Sequence, residues 1–232
     1  MIGFDPLYLM MLAPAMLLAA WAQWKVKSAF SHGSKIRSAS GLTGAQAAKR
    51  ILESEGIYNV SIEPIDGMLS DHYDPTHKVL RLSSQVYGSN SIAALGVAAH
   101  EAGHAVQDAT HYPLLVIRNA VVPIANIGSS ASWVLIFAGM MLQITQLFIL
   151  GVAAFSLTVF FQVVNLPVEF DASRRARNAL MMTGMVHPQE DREVGRVLNA
   201  AAMTYVAGTI TSILTLVYYL IRSGLLGGSS DD

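Results

Sequence analysis

The chain has 232 residues, enough for one ordinary soluble domain or for a smaller domain carried on several membrane spans. Its residues are 53% apolar and only 13% charged, about half the charged share of a typical soluble domain, which excludes a chain that meets water alone. A net charge of −1 excludes the basic excess of a nucleic-acid binder, and the absence of cysteine excludes disulfides and thiolate metal sites, so any metal must be held by His, Asp or Glu.

From the amino terminus, residues 6–24 are the first of four stretches long and apolar enough to cross a hydrocarbon core, which takes about 20 residues of helix. The others are 119–142, 144–166 and 201–221. Ala20-Trp21-Ala22 has the form of a signal-peptide cleavage site, but residues 1–5 carry no positive charge while Lys25, Lys27, Lys35 and Arg37 follow the span. The segment therefore reads as a retained anchor with its amino terminus outside. Trp21, Trp24, Tyr218 and Tyr219 lie near span ends, where interfacial aromatic anchors sit. Pro14 and Pro123 are tolerated inside spans because neighbouring helices satisfy the freed carbonyls.

Of the fifteen Lys and Arg, nine fall in 25–118 and five in 168–200, leaving Arg222 alone. Four spans place these two stretches on one face, and the positive-inside rule makes it the cytoplasmic face. Both termini are then outside, in a multi-pass protein of the cell membrane. A polar tail at 227–232 is expected to be disordered, and 31–44 reads as a linker.

Within 25–118, residues 43–56 predict a short helix capped by Thr43, with Ala47, Ala48, Ile51 and Leu52 on one face and Gly56 ending it. A strand is expected near 58–62. Asp74-Pro75 is a turn signal and Val79-Leu80-Arg81-Leu82 suits a strand, so a hairpin is predicted. Its second strand, 79–83, is read either as structural ribbon or as an edge that pairs with an extended peptide substrate. Residues 90–108 then predict one helix, capped by Ser89 or Ser91, whose apolar part is too short to span.

That helix carries His100-Glu101-Ala102-Gly103-His104, the H-E-x-x-H pattern. Residues four apart share a helical face, so both imidazoles can reach one ion while Glu101 stands beside a bound water. Zinc lowers the pKa of its water toward about 7, and an adjacent carboxylate can take the proton and pass it to a leaving amine. This is the chemistry of peptide-bond hydrolysis, with Glu101 as base and one Zn2+ ion on His100 and His104.

A catalytic zinc site has three protein ligands and an open position, so a third ligand is required. His111 stands one residue beyond the metzincin position, and Gln107 replaces the glycine of that pattern. His72 and His77 fall in a predicted turn. Glu169 is preferred, because it follows the third span directly and a carboxylate at a span end is costly unless paired or coordinated. The alternative role for Glu169 is an ion pair with Arg174 or Arg175.

With these residues in view, the chain resembles the YugP-type neutral zinc membrane metallopeptidases. The likeness rests on 100–104, on 166–176 with its Glu169-Phe170-Asp171-Ala172-Ser173 core, on 70–75 and 80–83, and on 197–205. More remotely the layout is similar to the HtpX and Ste24 membrane proteases, gluzincins whose third ligand is a Glu following a membrane hairpin. Those relatives show Glu-x-x-x-Asp, the Asp orienting a ligand histidine; here Ser173 holds that place, so His100 or His104 must be supported by Ser173, by Asp171 in another geometry, or from elsewhere. The oxyanion stabiliser is open among His187, Arg174, Arg175 and Tyr205.

The expected fold is mainly α: a four-span helical membrane protein with a small α+β zincin-like cytoplasmic domain. Its parts are an anchor at 1–24, the zincin-like part at 25–118, a membrane hairpin at 119–166, the cytoplasmic segment with Glu169 at 167–200, and the last span and tail at 201–232. The expected partners are a polypeptide substrate and the lipid bilayer, with no nucleic acid; the residues carry no signal of oligomeric state. The main functional expectation is an endopeptidase acting on membrane-associated or cytoplasm-facing polypeptides. The alternatives are a site-2-type intramembrane protease, for which Asp66-Gly67 is the nearest Asp-Gly pair, and a non-catalytic zinc-binding scaffold.

Overall fold

In a computed structural model of the protein, residues 5–67 and 69–226 are described; the expected disordered tail lies outside them. The elements in chain order are α1 (Pro6–Gly33), α2 (Gly44–Ser54), β1 (Ser61–Ile65), β2 (His72–Asp74), β3 (Val79–Ser83), α3 (Ser84–Tyr87), α4 (Ile92–Ala109), α5 (Pro113–Leu142), α6 (Thr145–Met182) and α7 (Pro188–Arg222). The fold is mainly helical with one small sheet. Helices α1, α5, α6 and α7 are long and apolar enough to cross a membrane. Each overlaps one of the four apolar stretches and continues beyond it, so residues 166–176 are part of helix α6.

The chain forms two compact units. The first combines the segment up to Ala22, Ile117–Leu166 and the segment from Thr204. Its buried centre is apolar and aromatic, with Leu12, Ile136, Phe148, Phe155 and Tyr219 packed together. A Cβ on Gly139 would come 2.5 Å from the Phe148 backbone nitrogen, and one on Gly151 would come 2.7 Å from that of Ile136. These glycines let α5 and α6 approach backbone to backbone, as small residues do between apolar helices. Trp133, Val134, Phe137, Leu150 and Phe160 remain exposed on this unit.

The second unit combines Gln23–Val116 and Pro167–Met203. Helix α4 runs through its core, with Ile92, Ala94, Leu95, Ala98, Ala99, Ala102 and Ala105 buried. Ser91 caps α4 by accepting from the Ala94 amide at 3.2 Å. Thr43 and Gln46 form a capping box on α2, which buries Ala47, Ala48, Ile51 and Leu52, and Gly56 follows in the left-handed region at φ 72°. Gly103 is set by packing: a Cβ there would lie 2.7 Å from the Ala172 carbonyl oxygen. Helices α4 and α6 therefore meet nearly backbone to backbone, at a point between Glu169 and Ser173.

The sheet has the order β1-β3-β2. Strand β2 pairs antiparallel with β3, and the Asp74 carboxylate fixes their turn by accepting from the Thr76 and His77 amides at 3.0 and 3.1 Å. The predicted hairpin is present, but the edge role of 79–83 is not. Strand β3 is central, paired on its other side in parallel with β1, and Val79, Leu80, Leu82 and Ser83 are buried. From Val79 to Arg81 it has a strand on either side and is not an edge; the outer edges there belong to β1 and β2.

Candidate metal centre

Helix α4 projects His100 and His104 from one face, one turn apart, with ring centroids 4.8 Å from each other at 82°. Across the close approach at Gly103, α6 brings the Glu169 carboxylate to them. Glu169 Oε2 lies 3.2 Å from His100 Nε2 and 3.6 Å from His104 Nε2. One ligand atom from each residue falls within 4.8 Å of the others. His104 and Glu169 are buried and His100 is nearly so. Three ligands at Zn–N and Zn–O bonds of about 2.0–2.1 Å sit about 3.3 Å apart around a tetrahedral ion, close to the spacing here.

The opposite ring nitrogens are held as well. His104 Nδ1 lies 3.0 Å from Gln107 Oε1, and the Gln107 amide nitrogen donates to the Val168 carbonyl and to Asp171 Oδ2, both at 2.9 Å. Both acceptors of that nitrogen lack protons, so the amide can only be oriented with its oxygen toward His104. His104 must then carry a proton on Nδ1, which leaves Nε2 as the ring nitrogen that faces the Glu169 carboxylate. A lone pair on Nε2 and the carboxylate can hold a cation between them, and the donor set of two imidazoles and a carboxylate suits zinc. His100 Nδ1 lies 3.1 Å from Ser173 Oγ, so the Ser173 hydroxyl supports that ring from the side away from Glu169.

Asp171 acts at second remove. It orients Gln107 and is itself held by Arg175 Nε at 2.6 Å and by Arg174. Gln107 is fully buried, and the sequence pattern marks it only as a departure from the metzincin glycine, not as part of the site. The available signal was its place three residues after His104 on the same helical face.

Glu101 is buried on α4 beside this cluster. Burial pushes its carboxyl up to about 7; the charge of His100 opposes the shift, and the charges of Glu169 and Asp71 add to it. A carboxylate with that affinity suits proton transfer near neutral pH.

The other sequence candidates are placed elsewhere. His111 follows the end of α4 with φ 51° and is outside the cluster. His77 pairs with Asp74 at 2.7 Å. His72 Nδ1 donates to the Ser70 carbonyl at 2.8 Å, and its Nε2 faces Arg81 at 3.4 Å. The Asp66 carbonyl accepts from Ser70 Oγ at 3.0 Å in the turn after β1, and Asp66 is outside the cluster. Of the oxyanion candidates, Arg174 and Arg175 are paired with Asp171 and His187 precedes the first turn of α7; Tyr205 belongs to the other unit.

Comparison with known proteins gives the chain a family. The chain is 44% identical over 215 residues to the "Putative membrane protease YugP" of Bacillus subtilis (strain 168), covering 93% of this chain and 96% of that protein. No solved structure matches it. Residues 8–224 match the family described as "Putative neutral zinc metallopeptidase", and the chain belongs to that family.

Proposed function

We propose that the protein is a zinc-dependent endopeptidase of the cell membrane, with one Zn2+ held by His100, His104 and Glu169 and with Glu101 as catalytic base. The convergence of two imidazole nitrogens and one carboxylate oxygen carries this reading. Zinc bound there supplies a Lewis acid that polarises a peptide carbonyl and makes a water more acidic. Glu101 accepts the proton of the attacking water on its carboxylate and returns it to the leaving amine nitrogen. Ser173 and Gln107 keep the two imidazoles aligned through the cycle. The substrate is an extended, membrane-associated or cytoplasm-facing polypeptide. The outer edge of β2 is the better place for it than β3, since β3 has a strand on either side.

The four long apolar helices are taken to span the bilayer, and the Lys and Arg distribution puts the metal centre on the cytoplasmic face with both termini outside. The test is Glu101→Gln: zinc is retained while cleavage of a casein-type substrate falls at least about 100-fold. Unchanged turnover in that variant removes Glu101 from the mechanism.

A further inference from the structure

A groove of about 310 Å3 runs along the second unit between α6 and α7. Phe170, Ser173, Arg174, Arg177 and Met181 line it from one stripe of α6, and Asn199 faces them from α7. Ser173 and Phe170 bring the groove to the back of the His100 ring and to the residue next to Glu169. Ser173 Oγ lies 3.1 Å from His100 Nδ1, and Phe170 follows Glu169 directly and is half exposed. From residue 170 to residue 181 a helix rises about 16 Å, the length of roughly five extended residues.

The charges along the groove are unequal. Arg177 is neutralised by the Asp191 carboxylate, which it meets with two nitrogens at 2.9 and 2.5 Å, and its guanidinium lies close against Gly195. Arg174 and Arg175, by contrast, share the single carboxylate of Asp171, which also accepts from Gln107. Arg175 is further held 5.7 Å over the Tyr112 ring. Arg174 is the outer of the two, its side chain 70% exposed. One cationic charge beside the groove is therefore in excess, and the largely exposed Arg174 side chain, though paired with Asp171, lines it.

We propose that this groove is a substrate subsite that takes a carboxylate-bearing residue of the polypeptide, one to three residues from the scissile bond. Arg174 recognises the carboxylate, and Phe170 and Met181 receive the apolar parts of its neighbours. The proposal rests on the peptidase reading and adds a specificity to it.

The experiment uses two fluorogenic peptides that differ only by Glu or Gln at the positions flanking the cleaved bond, with zinc-loaded full-length protein in detergent. The expected result is a kcat/KM about tenfold higher for the Glu peptide. Arg174→Met brings that ratio to about one, Arg174→Lys keeps most of it, and Arg174→Glu inverts it. A purely structural role for Arg174, acting through Asp171, would lower both peptides alike and leave the ratio unchanged, and that result overturns the proposal. If the wild type cleaves neither peptide, the peptidase reading fails. The groove is then decided by fluorescence anisotropy of the same labelled peptides on zinc-loaded Glu101→Gln protein. Tighter binding of the Glu peptide, lost on adding Arg174→Met, supports the subsite; equal binding of the two peptides overturns it.

Discussion

At the scale of single residues, the site depends on where protons are held. Gln107 fixes the His104 proton on Nδ1 because its own amide nitrogen is committed to two acceptors. Gln107→Leu frees the ring and leaves Asp171 and the Val168 carbonyl short of a donor. The expected outcome is a 10- to 100-fold loss of zinc affinity, read by competition with a chelating dye; unchanged affinity would mean that the amide is idle. Glu101 gives a pH-dependent prediction for the metal-free protein. Its carboxyl has an ordinary value of 4.5 and is raised to about 7 in the fold. Between those values the folded state binds more protons than the unfolded state, so stability falls as pH rises through that window. The cost, on the order of 3 kcal/mol, is absent below it and complete above it. Glu101→Gln removes this cost. After chelator treatment the variant should melt above the wild type at pH 8.5, with most of the difference gone at pH 4.5. An equal difference at both pH values would contradict the assignment.

At the scale of elements, the centre is made by one helix crossing. Gly103 has no room for a side chain against the Ala172 carbonyl, so Gly103→Ala must push α4 and α6 apart where they carry the ligands. We expect a destabilisation of about 1–3 kcal/mol and a lower zinc content, measured by thermal melting and metal analysis. Normal values of both would show that the crossing tolerates the shift. The sequence already pointed to the α4 part of this arrangement. His100, Glu101 and His104 follow from spacing alone, and Glu169 from the cost of a carboxylate at a span end. Gln107 was not legible, because its role depends on which groups α6 presents to it. The central position of β3 was partly legible: Val79-Leu80-Arg81-Leu82 is nearly continuous in apolar residues, the pattern of a strand buried on both faces, whereas a half-exposed edge alternates. The parallel partner β1 could not be read from local pattern, since pairing across an intervening strand leaves no mark in either segment. The helical form of 166–176 was masked for a similar reason, because the apolar stretch ends at 166 while the helix does not.

At the scale of the whole molecule, four apolar helices and an uneven distribution of Lys and Arg make an orientation testable. The chain has no cysteine, so single cysteines can be introduced without background. Tyr58 and Leu225 are both exposed. A membrane-impermeant maleimide should label Leu225→Cys in intact cells and Tyr58→Cys only after permeabilisation; the reverse pattern would turn the protein over in the membrane. The central claim, that His100, His104 and Glu169 hold a zinc ion that hydrolyses polypeptides, is tested most directly by metal analysis of the purified wild type and Glu169→Ala, paired with a casein-type cleavage assay. The account predicts about one zinc per chain with activity in the wild type, and the loss of both in Glu169→Ala. Full zinc and full activity in Glu169→Ala would contradict it.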